Sequence, residues 1–141
     1  RAIKDARPQT TFALRDLMHN PRDVAPVFQA LRIAVNDEMG ELERALDAVP
    51  GLLKSGGKCI CVTFHSLEDR IVKTFIKDKS QGQKVPNGLP LTFEETEKMR
   101  LATAKVEPVG GAIKATSEEI SANVRSRSAT LRVCQRLKRL Q

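Results

Sequence analysis

Residues 58–73 constrain the fold of this chain more than any other stretch, because the hydrophobic period changes in mid-segment. Residues 59–64 form an apolar run of strand length, introduced by the pair Gly56-Gly57. Such a run fits a strand buried on both faces of a parallel sheet. From Leu67 onward the spacing turns helical, with Leu67, Ile71 and Phe75 four residues apart. Ser66 is the expected N-cap, and Glu68 and Asp69 suit the positive end of the helix. His65 and Ser66 are thereby delivered to the carboxyl end of a strand, where open α/β sheets place their ligand sites.

A chain of 141 residues buries one core, so one domain or part of one is expected. No apolar run approaches membrane-spanning length, and the start does not read as a secretory signal. Cys59 and Cys61 fall in the expected strand and Cys134 lies far along the chain. They read as reduced, small apolar side chains of an intracellular protein. A Cys-x-Cys pair with only two histidines elsewhere argues against a zinc site, and no metal is expected.

Charge is distributed unevenly. All 17 acidic residues precede Ile120, whereas Arg125, Arg127, Arg132, Arg136, Lys138 and Arg139 follow it with no acid among them. Of the formal net charge of +7, +6 comes from this last stretch. Such clustering is an electrostatic footprint for phosphate, although a solvated basic tail has the same composition. Five Phe with no Trp or Tyr argue against an aromatic stacking platform for single strands.

Along the chain, a short helix is expected over residues 11–18 and a long amphipathic one over 27–49, ended by Pro50-Gly51. Residues 79–90 read as a loop. Thr92 with Glu95 is a capping-box pattern, so a helix should run from Phe93 to about Thr103. Strands are expected at 105–109, 112–115 and 129–134, with Ser117 capping a brief helix between the last two. Helix, turn, strand and helix in succession fit an α/β architecture with a mostly parallel sheet and an antiparallel ending.

Three blocks in this order carry a resemblance. Phe28-Gln29-Ala30-Leu31-Arg32-Ile33-Ala34-Val35-Asn36-Asp37-Glu38 comes first, then Phe64-His65-Ser66-Leu67-Glu68-Asp69-Arg70-Ile71-Val72-Lys73. The third is Ser117-Glu118-Glu119-Ile120 with Asn123 and Arg125-Ser126-Arg127-Ser128-Ala129. Together they resemble the signatures of the MraW/RsmH family of S-adenosylmethionine-dependent methyltransferases, which act on cytosine N4 of small-subunit ribosomal RNA. The resemblance implies the C-terminal part of a Rossmann-like class I methyltransferase sheet. Residues 1–26 would be the end of a helical insertion and 27–141 the C-terminal half of the core. Three positions depart from the family: Pro26-Val27 stands where it usually has Arg-Thr, and Val124 where it has proline. There is no G-x-G-x-x-G loop after a strand, and the chain begins at Arg1, so a fragment lacking most of the S-adenosylmethionine site is expected.

The candidate site follows from these blocks. His65 and Ser66 are candidates to line a base pocket and accept hydrogen bonds from an amine, or else a structural histidine and a helix cap. Arg125, Ser126, Arg127 and Ser128 suit phosphate contact, or salt bridges within the fold. Arg32, Asn36 and Asp37 read as pocket contacts or a solvated helix face. Glu68, Asp69 and Arg70 are first-turn charges, with Asp69 favoured as a support pairing with Arg70 or the basic C-terminal segment. Arg132 is expected to be structural. A Ser-His-Asp hydrolase is disfavoured: adjacent strand-end residues point to different sides, and no G-x-S-x-G elbow is present. The implied partner is small-subunit ribosomal RNA, in bacterial cytoplasm or in a mitochondrion or plastid. A non-catalytic RNA-binding remnant and a methyltransferase of another substrate are the alternatives.

Overall fold

The structure is a computed structural model that describes residues 2–82 and 91–138. Contacts divide the chain into two units, 1–38 and 39–141. Most of the loop expected at 79–90 lies outside the described residues, but residues 79–81 belong to a helix.

The first unit is helical. Helices α1 (Ala2–Ala6), α2 (Thr11–Asp16) and α3 (Pro21–Asn36) follow one another. Thr10 caps α2 by accepting the Ala13 N–H at 3.1 Å, and Asn20 caps α3 by accepting that of Arg22 at 3.0 Å. Pro21 opens α3, where its missing N–H costs no helical bond. The single long helix expected over 27–49 does not form: α3 begins earlier and ends at Asn36. Asp37 adopts the left-handed conformation (φ 50°) and donates its N–H to Ile33 O. Aspartate tolerates that conformation better than most residues, so the chain breaks helix without a glycine.

Helix α4 (Glu38–Leu52) then carries Pro50 in its last turn rather than ending before it. Strand β1 (Lys58–Thr63), α5 (Ser66–Gln81), α6 (Phe93–Thr103), β2 (Val106–Pro108), β3 (Ile113–Lys114), α7 (Ser117–Ala122) and β4 (Thr130–Arg136) complete the second unit. The α6 capping box forms as the sequence implies, with Thr92 N–H on Glu95 Oε2 at 2.8 Å and Glu95 N–H on Thr92 Oγ1 at 3.2 Å. Thr116, not Ser117, caps α7.

The sheet corrects the expectation of parallel pairing. Its order is β1-β4-β2 with β3 also on β4, and every pair is antiparallel. Apolar runs do not encode strand direction, and antiparallel sheets commonly leave one face open. In this sheet one face is covered. Leu46 of α4, Val72, Phe75 and Ile76 of α5, Val106 of β2 and Cys134 of β4 form the core, with Cys59 and Cys61 packed against it. The other face carries Ile60, Val62 and Ile113, which are 62%, 51% and 57% exposed, so β1 is not buried on both sides.

Candidate functional site

Register brings two of the sequence blocks to one end of the sheet. Thr63 at the close of β1 lies opposite Thr130 at the start of β4, and Thr63 Oγ1 donates to Thr130 O at 3.3 Å. His65-Ser66 therefore leave the same edge at which the turn Val124–Ser128 arrives. That turn is a 3₁₀ helix capped by Asn123, whose side chain accepts the Arg125 N–H at 3.1 Å. Ser126 is buried and donates its hydroxyl to Asn123 O at 2.8 Å. Arg125, Arg127 and Ser128 are left exposed around it. A buried hydroxyl anchors the turn, and the guanidinium groups point outward.

His65, not Ser66, is the N-cap of α5. Its Nδ1 accepts the Glu68 N–H at 3.4 Å, while Glu68 Oε2 accepts the N–H groups of Phe64 and His65 at 2.9 and 3.4 Å. This is a capping box with histidine in the place usually held by Ser or Thr. His65 Nε2 lies 3.0 Å from Glu68 Oε1 but out of line, and makes no hydrogen bond among the described residues. With Nδ1 used as acceptor, the neutral ring carries its proton on Nε2. The spacing His65-x-x-Glu68 is the sequence signal for this cap. Ser66 is the first helical residue and is exposed.

Asp69 pairs with Arg132 through two bonds of 2.8 and 2.9 Å, tying α5 to β4. This guanidinium, more than burial opposes it, holds the Asp69 carboxyl below its usual range, with Lys114 and Lys73 adding to the field. The partner comes from the basic C-terminal segment and is not Arg70. Arg70 is exposed and lines a groove on the α4 side with Glu43 and Asp47. Lys114, which no sequence pattern singles out, donates from Nζ to Thr130 Oγ1 at the same rim. Beside it a small cleft of about 150 Å³ is lined by Val62, Leu131, Ala129 and Glu119.

Arg32, Asn36 and Asp37 belong to the first unit. Arg32 Nε sits 2.8 Å from Glu38 Oε1, and Asn36 Nδ2 donates to the same oxygen at 3.4 Å. Their shared face thus converges on a carboxylate, and Asp37 serves as the helix stop.

No glycine lies between β1 and α5, and the two amides of that turn are already taken by Glu68. This turn thus lacks the glycine-rich backbone of the common dinucleotide-binding loop. Among the described residues no group of three or more His, Cys, Asp or Glu is arranged to hold a metal ion, and no helix is long and apolar enough to cross a membrane.

The second unit is thus an α/β structure with helices on one sheet face and a basic turn beside a capped strand end. The chain belongs to the MraW methylase family, whose model matches residues 3–137. It is similar to the ribosomal RNA small subunit methyltransferase H of Shewanella halifaxensis, 47% identical over 118 residues, covering 84% of this chain and 36% of the relative. The proteins of that name from Shewanella loihica and Shewanella pealeana are 48% and 43% identical over the same shares. The chain spans about a third of the length of the curated relatives it matches.

Proposed function

We propose that this chain forms part of an enzyme that transfers a methyl group from S-adenosylmethionine to the N4 amine of a cytosine in small-subunit ribosomal RNA. The observation that carries this reading is the family match across residues 3–137, which includes all three sequence blocks. The residues would belong to a Rossmann-like methyltransferase, with 1–26 as the end of a helical insertion and 27–141 as part of the core. Because no G-x-G-x-x-G loop follows a strand in the sequence, S-adenosylmethionine would be held mainly by parts of the enzyme other than this chain.

Chemistry sets what the residues at the sheet end would do. The cytosine N4 lone pair is delocalised into the ring, so the amine needs acceptors that orient its hydrogens. The base also has to leave its stack to be reached. Ser66, exposed and next to the fixed His65 ring, would line that pocket. Arg125, Arg127 and Ser128 would hold the flanking phosphates, with Ser126 keeping their turn in shape. Asp69 would support the rim through Arg132, and Glu68 through His65. Arg70 and the Arg32, Asn36 and Asp37 face would be secondary contacts. Such a protein would work where ribosomes are assembled, in bacterial cytoplasm or in a mitochondrion or plastid.

The runner-up is an RNA-binding piece without catalysis, which the exposed basic turn Arg125–Ser128 would serve equally well. Transfer of a labelled methyl group to small-subunit ribosomal RNA by the native polypeptide separates the two. Label on cytosine N4 is expected; RNA binding without label would favour the runner-up, and label on protein alone would mean another substrate.

A further inference from the structure

Helix α5 carries a second concentration of positive charge, away from the basic turn. Lys73 and Lys77 are four residues apart, so they share one exposed face of the helix. That face borders a groove of about 250 Å³ whose other walls are Ser80, Gly110, Gly111 and Arg132. Gly110 has φ +70°, and added Cβ atoms at Gly110 and Gly111 would meet nothing within 4 Å. The turn between β2 and β3 is therefore bare backbone, open to close approach by a bulky ligand.

Two acids near this groove are already engaged. Asp69 is taken by Arg132, and Glu97 is held by Arg100, which also donates to Ser80 O at 2.9 Å. Asp69 feels Arg132, Lys114 and Lys73 together, so three cations gather around this carboxylate. The lining offers no large exposed apolar side chain that would anchor it in a lipid surface, since Ile76 is only 8% exposed. Polar backbone, lysine ammonium groups and an open trough match a phosphodiester chain.

We infer that the groove between Lys73 and Lys77 of α5 and the Gly110-Gly111 turn is a second contact for the RNA phosphate backbone, separate from the Arg125–Ser128 turn. The inference rests on the RNA-binding part of the proposed function and not on methyl transfer. Lysines act there as point charges and give affinity without reading sequence. Arg70 takes no part, because it faces the α4 groove.

The test is binding of a small-subunit ribosomal RNA transcript by the native full-length polypeptide over a range of salt concentrations. Neutralising both lysines (Lys73→Gln with Lys77→Gln) should make the slope of log affinity against log salt shallower by about 1.5 and weaken binding roughly tenfold at low salt. Replacing both with arginine should keep the slope, and Lys98→Gln on α6 should leave it unchanged. An unchanged slope in the double glutamine variant, with wild-type RNA binding intact, overturns the groove alone. A wild type that does not bind RNA, or binds only phosphatidylglycerol vesicles, overturns the RNA reading and this inference with it. Loss of slope in a protein that transfers no methyl group leaves the inference standing and removes the enzyme.

Discussion

Asp69 on α5 and Arg132 on β4 are 63 residues apart in sequence, yet they form a two-pronged ion pair with both side chains about four-fifths buried. A planar guanidinium and a carboxylate in register fix both distance and direction, which a lysine in place of Arg132 would not do. The helix capped by His65 is thereby locked to the strand that starts just after the basic turn. Two candidate regions separated by half the chain hold a common geometry.

Asp69→Asn should lower stability by about 1–3 kcal/mol, since it leaves a partly buried guanidinium without its charged partner. The pair should also make stability depend on pH. Asp69 is held below its usual range in the folded chain. The stabilisation is therefore full above the unfolded value of about 3.9 and is lost as pH falls through the lower folded value. Thermal unfolding from pH 7 to pH 2 should show the gap between parent and variant narrowing in acid. A gap that stays constant down to pH 2 would show that it does not come from the ionised Asp69 carboxylate.

Substitutions at His65 separate a cap from a reacting group. His65→Ala should cost about 0.5–2 kcal/mol through loss of the α5 cap, whereas His65→Asn, an excellent capping residue, should restore most of it. If the ring serves the reaction, the asparagine variant will be stable and impaired in methyl transfer. If the ring only caps, stability and activity will return together.

Gly82 closes α5 with φ +63°, and an added Cβ would lie 2.5 Å from Thr103 Oγ1 and 2.7 Å from Arg100 O. Backbone strain and close contact with α6 act in the same direction at this position. Gly82→Ala should destabilise by about 1–3 kcal/mol, and a melting temperature equal to the parent's would refute the close approach. Gly51→Ala, with open space around it, is the matched control.

Burial pushes the Cys61 thiol up to about 12 and the Cys134 thiol up to about 11. Both should stay protonated at pH 8, and alkylation by iodoacetamide should be slow, because the thiolate is the nucleophile. Unfolding should release all three thiols. Rapid labelling of Cys134 in the native protein would mean that the core opens readily.

How legible each element is in the sequence depends on how local its determinant is. Thr92 and Glu95 announce α6 because both halves of that cap lie within four residues. The cap of α5 falls one residue from where the sequence points, since Ser66 is the commoner capping type and His65 takes the role. The stop at Asp37 is hidden because the apolar spacing of Leu31, Val35, Leu42 and Leu46 runs through it, and the one nearby glycine, Gly40, lies inside α4 rather than at the break. Strand direction is beyond reach: residues 59–64 look alike whichever way their neighbour runs, and that neighbour, β4, lies some seventy residues on. The same distance hides Arg132 as the choice for Asp69, because the sequence allows both the adjacent Arg70 and the basic C-terminal segment.

The break at Asp37 has a consequence for how such a sequence can vary. Within an unbroken helix, one inserted or deleted residue turns everything beyond it by about 100° and carries the apolar stripe off its partner. A left-handed residue between α3 and α4 ends one phase and lets the next begin afresh. Length changes at this joint would be absorbed locally, so drift in the first three helices need not be matched by compensating changes in Leu42, Leu46 and Val49.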